Sequence, residues 1–80
     1  MDATEVTALV QEALPGCEVQ VQIDGTHYLV IVVGDVFEGL STIKRQQLIN
    51  KALFHKVMDG TIHALHPKAF TPAEWAERQG

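Results

Sequence analysis

Cysteine and long apolar runs are both scarce in this sequence, and each scarcity excludes a class of protein. Cys17 is the only cysteine, so the chain can form no internal disulfide, no four-cysteine zinc site and no self-contained iron–sulfur site. The longest apolar run, Tyr28 to Val33, is far shorter than the roughly 20 residues that span a bilayer. The acidic start Met1-Asp2-Ala3-Thr4-Glu5 is unlike a signal peptide. These features predict a cytoplasmic protein without a membrane segment.

The remaining composition is that of one small domain. The 80 residues are 46% hydrophobic and 20% charged, which excludes a multidomain enzyme and a disordered tail. The sequence contains no nucleophile elbow, Walker loop or dinucleotide fingerprint. A catalytic Ser or Cys would also need a base and a third group to orient it. The sequence therefore favours a protein that is not an enzyme.

Lysine and arginine are absent from the first half of the chain. The residues before Lys44 carry a net charge of −7, and those from Lys44 onward carry +3. This balance argues against tight non-specific binding of nucleic acid but leaves a small basic face possible. Lys44 and Arg45 could meet a phosphate at a helix N-terminus, although Gly39-Leu40-Ser41-Thr42 lacks the second glycine of a KH-type GXXG loop. Ordinary solvated surface is the favoured interpretation.

Periodicity and turn signals predict the element order αββαβα. A capping box of Asp2 and Glu5 begins a helix, and its apolar stripe follows at helical spacing: Val6, Leu9, Val10, Ala13 and Leu14. Alternation predicts a strand up to the Asp24-Gly25 turn, and an apolar central strand runs from His27 to Val33.

The second half of the chain is predicted in the same way. Ser41 caps a long helix that runs to about Met58, with a buried stripe of Ile49, Ala52, Leu53 and Val57. A short strand is predicted over Thr61 to His66. Thr71-Pro72-Ala73-Glu74 then has the cap, first-turn proline and glutamate of a final helix.

The long helix between the second and third strands predicts a crossover connection, so these strands should run parallel and side by side. His27 and His63 would then lie at the same end of the sheet, where two imidazoles could serve one shared metal centre. A single strand histidine is more often a structural hydrogen-bonding residue, and a loop histidine is often only solvated. His55 and His66 have no partner at ligand spacing and are expected to be solvated. Cys17 is expected to be buried.

Three motifs taken together resemble the BolA family. They are Phe37-Glu38-Gly39 after the apolar strand, Ile62-His63-Ala64-Leu65 in the third strand and Thr71-Pro72-Ala73-Glu74-Trp75 at the start of the last helix. The short hairpin loop and Lys44-Arg45-Gln46-Gln47 are most similar to the bacterial IbaG-like subgroup. The similarity covers nearly the whole chain and implies a single BolA-like domain over residues 1–80.

The resemblance implies a fold, a partner and a cofactor. The fold is class II KH-like, an α+β structure with a three-stranded mixed sheet and helices packed on it. The function implied is a non-enzymatic adaptor that binds a monothiol glutaredoxin and shares a [2Fe–2S] cluster with it, for iron–sulfur trafficking or iron sensing. The glutaredoxin cysteine and a glutathione thiolate supply the ligands on the partner side. The family's histidine before Ala-Leu matches His63, and the only Cys or His near the hairpin loop, His27, is the expected second ligand.

Two other functions remain open at the level of sequence. Some BolA-like proteins are DNA-binding regulators, and under that interpretation Lys44, Arg45, Lys51 and Lys68 would contact phosphate. A purely structural interaction module without metal is the other alternative. Without its cluster the chain is expected to be a monomer or a weak dimer.

Overall fold

The computed structural model describes residues 2–79. Its elements in chain order are α1 (Ala3–Ala13), β1 (Glu18–Asp24), β2 (His27–Val33), a 3-10 turn (Asp35–Phe37), α2 (Thr42–Ala52), α3 (Phe54–Met58), β3 (Ala64–Phe70) and α4 (Pro72–Gln79). The predicted α+β fold is confirmed, and the order αββαβα holds with the middle helix divided in two.

The sheet has the order β1-β2-β3, with β2 in the centre. β1 and β2 form an antiparallel hairpin in which Asp24 lies opposite His27. Gly25 takes a positive φ of 61° in the two-residue loop, a conformation that favours glycine. β2 and β3 are parallel, and His27 lies opposite Ala64. The predicted parallel arrangement of adjacent strands is therefore confirmed.

One face of the sheet is covered by α1 and α2. The core there consists of apolar side chains that are almost fully buried, among them Val6, Val10, Val30, Val32, Phe37, Ile49, Leu53 and Ile62. Residues of β2 alternate between this face and the opposite one, where Leu29 and Ile31 are half-buried. We call the second face the open face.

Capping side chains define where three of the helices begin. Asp2 accepts the Glu5 N–H at 2.9 Å at the start of α1, and Ser41 accepts the Lys44 N–H at 3.2 Å at the start of α2. Thr71 and Glu74 form a reciprocal capping box on α4. All three starts agree with the sequence prediction.

The predicted helix from Ser41 to about Met58 is wrong as a single element. The chain tightens at Leu53, whose N–H bonds to the Asn50 carbonyl three residues earlier, and the helix resumes as α3. Leu53 is buried in the core, whereas Val57 is exposed and does not belong to the expected buried stripe.

The predicted third strand is present, but its predicted bounds of Thr61 to His66 are wrong, because β3 begins at Ala64 and continues to Phe70. Pro67 lies inside it. β3 is an edge strand. The Ala64 N–H and the Phe70 carbonyl oxygen form hydrogen bonds on the β2 side of the strand. Because main-chain groups alternate between the two sides of a strand, the nitrogen of Pro67 faces the free edge. A proline at that position removes no ladder hydrogen bond and does not end the strand.

Candidate metal centre

The starts of β2 and β3 meet at one end of the sheet. The main-chain oxygen of Thr26, the residue before β2, accepts the N–H groups of both His63 (3.1 Å) and Ala64 (3.2 Å). The main chain of His63 is therefore bonded to the residue next to His27. This placement confirms the expectation that both histidines belong to the same end of the sheet.

His63 lies in a bend immediately before β3 and is exposed. Its neighbours are fixed, since Ile62 is buried with its N–H bonded to the Lys56 carbonyl, and Ala64 is bonded to Thr26. Within residues 2–79 the His63 imidazole makes no hydrogen bond and no ring contact. The structure thus holds the main chain of His63 in place and leaves its ring accessible, as an external metal requires.

His27 is exposed at the first position of β2, and its ring stacks on that of His66. The ring centres lie 5.9 Å apart and the planes differ by 25°. His66 is exposed, as expected, and its ring contacts that of His27, a neighbour that the sequence does not indicate. His66 lies two residues beyond Ala64 on β3, so the parallel register places its side chain on the same face as that of His27. The contact between His27 and His66 could have been predicted only from the pairing register of β2 and β3, which depends on where β3 starts.

His55 and Cys17, which are not among the expected metal ligands, lie elsewhere. His55 is exposed on α3, where its ring meets that of Phe54 edge-on. Cys17 is buried before β1, and Glu18 pairs with Val33 at the opposite end of the sheet from His27. Burial raises the pKa of the Cys17 thiol, and the carboxylate of Asp35 raises it further. A protonated, buried thiol is a poor metal ligand, and the expected burial of Cys17 is confirmed.

The basic residues of the alternative nucleic-acid site are in different environments. Lys44, Lys51 and Lys68 are exposed. The Arg45 guanidinium is mostly buried and binds the Glu74 carboxylate, with Nη1 and Oε1 2.6 Å apart. The same side chain donates to the carbonyl oxygens of Leu40 (3.0 Å) and Ala69 (3.4 Å). Arg45 therefore connects α2 to β3 and α4, and its guanidinium makes four hydrogen bonds within residues 2–79.

Across the described part of the chain, His, Cys, Asp and Glu side chains form no group of three or more that could hold a metal ion. The candidate site therefore offers imidazole ligands and not a full coordination sphere. None of the helices within residues 2–79 has the length and apolar character needed to cross a membrane.

Comparison with known proteins identifies the family. The family model described as BolA-like protein matches residues 6–74. The chain belongs to the BolA family. It is IbaG-like, since it is 43% identical over 76 residues to the Acid stress protein IbaG of Escherichia coli, covering 95% of this chain and 90% of that protein.

Solved structures of BolA proteins have the same fold. A bolA protein homologue from Coxiella burnetii superposes with a TM-score of 0.81 at 28% identity, over 95% of this chain and 97% of the other. Yeast Fra2 superposes with a TM-score of 0.75 at 26% identity, over 96% of this chain and 86% of its own. The resemblance seen in the three sequence motifs is thus confirmed at the level of family and fold.

Proposed function

We propose that this chain is a non-enzymatic adaptor that binds a monothiol glutaredoxin and shares a [2Fe–2S] cluster with it. The adaptor serves iron–sulfur cluster trafficking or iron sensing. His63 is its main ligand and His27 the second. Membership of the BolA family supports this proposal, and the observation that carries it is the accessible ring of His63 at the start of β3.

The four ligands of the cluster would come in equal numbers from this chain and from the partner side. A [2Fe–2S] cluster needs four ligands, usually thiolates, and histidine replaces two of them in some centres. This chain presents His27 and His63 at one end of its sheet, whereas its single thiol is buried at the other end. The two thiolates then come from the glutaredoxin cysteine and from glutathione.

The local structure suits a shared ligand. Thr26 fixes the main chain of His63 through a hydrogen bond that does not involve the imidazole. The ring can therefore approach a cluster on a partner without breaking a hydrogen bond or a ring contact within residues 2–79. A ligand held this way supports docking of the two proteins without refolding of either strand.

Imidazole ligation sets the chemistry of such a cluster. Replacing a thiolate by a neutral imidazole removes negative charge from the cluster and raises its reduction potential. Imidazole ligands also make metal binding sensitive to protons. Both effects suit a cluster that is passed on or that reports iron status, rather than one that is stored.

Visible circular dichroism tests the proposal directly. A monothiol glutaredoxin that carries a [2Fe–2S] cluster with glutathione is titrated with this protein. A new spectrum is expected, complete at a one-to-one ratio of the two chains. His63→Gln should abolish the change, and His27→Gln should weaken or alter it. His55→Gln, which replaces an exposed histidine on α3, is the matched control and should behave as the unaltered protein. An unchanged spectrum with the unaltered chain overturns the proposal.

A further inference from the structure

The rings of His27 and His66 are in contact on the open face, and His63 is not part of this contact. We call the stacked side chains of His27 and His66 the histidine pair. Both residues are exposed, and they are held on two adjacent strands that are each fixed by the sheet. The pair is therefore presented to solvent on a rigid support.

The register explains why the two rings meet. His27 lies opposite Ala64, and His66 follows two residues later opposite Leu29, so both side chains leave the same face. Parallel neighbours are about 4.8 Å apart, and a diagonal pair of long side chains is within reach. The observed separation of the ring centres is 5.9 Å.

We propose that His27 and His66 bind a divalent transition-metal ion between them, through one nitrogen of each imidazole. Metal–nitrogen bonds of about 2.0–2.1 Å place two rings on one ion with their centres roughly 4.5–6.4 Å apart, depending on the angle at the metal. The separation in the structure falls inside that range. Rotation of the two exposed side chains brings a nitrogen of each toward the ion while the strands stay where they are.

The ligands that the site supplies indicate which ions it can bind. Asp24 lies opposite His27 in the hairpin, and Lys68 lies two residues beyond His66 on the same face. Since the described residues supply no third ligand to complete a group, the remaining positions on the ion are filled by water. Imidazole donors select Zn²⁺, Ni²⁺ and Cu²⁺, whereas Mg²⁺ prefers oxygen ligands.

This site does not depend on the proposed cluster or on any partner. It uses His66, which the adaptor function leaves without a role, and it does not use His63. Because His27 belongs to both sites, an ion bound by the histidine pair occupies the second ligand of the cluster. The free chain with a metal bound is then a distinct state from the chain that shares a cluster.

Calorimetric titration of the untagged, cluster-free protein with Zn²⁺ tests the inference, with amide NMR spectra to locate the ion. One ion per chain is expected, with shifts centred on the starts of β2 and β3. His66→Gln and His27→Gln should each weaken binding by at least about tenfold. His55→Gln should leave the affinity unchanged within about threefold, and Mg²⁺ should not compete.

Three outcomes overturn the proposal. One is no Zn²⁺ binding up to roughly millimolar concentration. Another is binding that His66→Gln leaves intact, and the third is binding that Mg²⁺ displaces, which would assign the ion to carboxylates. Failure of the cluster titration with glutaredoxin leaves this result unaffected, so the two proposals fail separately.

Discussion

The guanidinium of Arg45 and the carboxylate of Glu74 form a two-point contact between α2 and α4, with Nη1–Oε1 at 2.6 Å and Nη2–Oε2 at 3.4 Å. Glu74 Oε1 also accepts the N–H of Thr71 at 2.8 Å. The same carboxylate therefore caps α4 and binds the side chain that reaches the free edge of β3. The contact joins three elements through one ion pair.

Arg45→Met is expected to lower the free energy of unfolding by about 1–3 kcal/mol, because it removes charge-assisted hydrogen bonds from a mostly buried position. Arg45→Lys should recover only part of the loss, since an ammonium cannot reproduce the two-point geometry. Urea denaturation measures both. Lys44→Met, at an exposed neighbour on the same helix, is the control and should change stability by less than about 0.5 kcal/mol. Equal effects of the Arg45 and Lys44 variants would contradict a structural role for Arg45.

The pH dependence of stability should contain a contribution from Glu74. Hydrogen bonds from Arg45 and from the Thr71 main chain lower the pKa of this carboxyl below its ordinary value. A lowered pKa means that the folded state holds the proton less tightly than the unfolded state does. The stabilisation is thus complete above the ordinary glutamate pKa of about 4.3 and is lost as the pH falls through the lower folded value.

Glu74→Gln removes that dependence. The variant should be less stable than the unaltered chain at pH 7, and the difference should shrink as the pH falls below about 4.3. Urea midpoints measured from pH 7 to pH 3 follow the difference. Glu77→Gln, which replaces an exposed carboxylate on the same helix, is the control variant. If the difference in stability between the unaltered chain and Glu74→Gln increased as the pH fell, the pKa of Glu74 would be raised and not lowered in the folded protein.

Much of the architecture could be predicted because short-range signals determine it. Asp2, Ser41 and Thr71 are capping residues whose hydrogen bonds involve residues three positions away, so sequence alone shows where their helices begin. The errors came from long-range effects. Pro67 ends a strand by local rules but is tolerated because β3 is at the edge of the sheet. The helix is interrupted at Leu53, a position that its apolar periodicity does not mark.

The candidate site was predictable in part for the same reason. A helical crossover predicts parallel strands, which is enough to place His27 and His63 at one end of the sheet. Contact between His27 and His66 depends on the register, and the register follows from the first residue of β3. The predicted start of β3 at Thr61 is three residues before the observed start at Ala64, and this difference is enough to prevent prediction of the histidine pair.

His63→Gln should leave the fold almost unchanged, with a change in unfolding free energy of less than about 0.5 kcal/mol. The side chain is exposed, and the hydrogen bond to Thr26 uses the main-chain N–H that glutamine retains. His63→Pro removes that N–H and should cost about 1–3 kcal/mol. Thermal and urea unfolding compare the two variants. If His63→Gln were as damaging as His63→Pro, the ring would have a structural role that competes with metal ligation.

Gly34 and Cys17 are in close contact at the far end of the sheet, and this contact gives a prediction that is independent of the metal site. Gly34 is buried and extended, with φ of −172°, so an alanine there suffers no backbone strain. Its Cβ would clash with the Cys17 sulfur unless one of them moves. Gly34→Ala should therefore cost about 1–3 kcal/mol of stability through overpacking.

A double-mutant cycle with Cys17→Ala separates this steric effect from other causes. Removing the sulfur leaves the Cys17 Cβ as the nearest atom to the new methyl group, at 3.3 Å. Gly34→Ala should then cost less than half as much in the Cys17→Ala background, with a coupling energy of about 0.5–3 kcal/mol measured by urea unfolding. Equal costs in both backgrounds would mean that the glycine is required for another reason. Because both residues lie far from His27 and His63, both variants should still change the glutaredoxin cluster spectrum as the unaltered chain does.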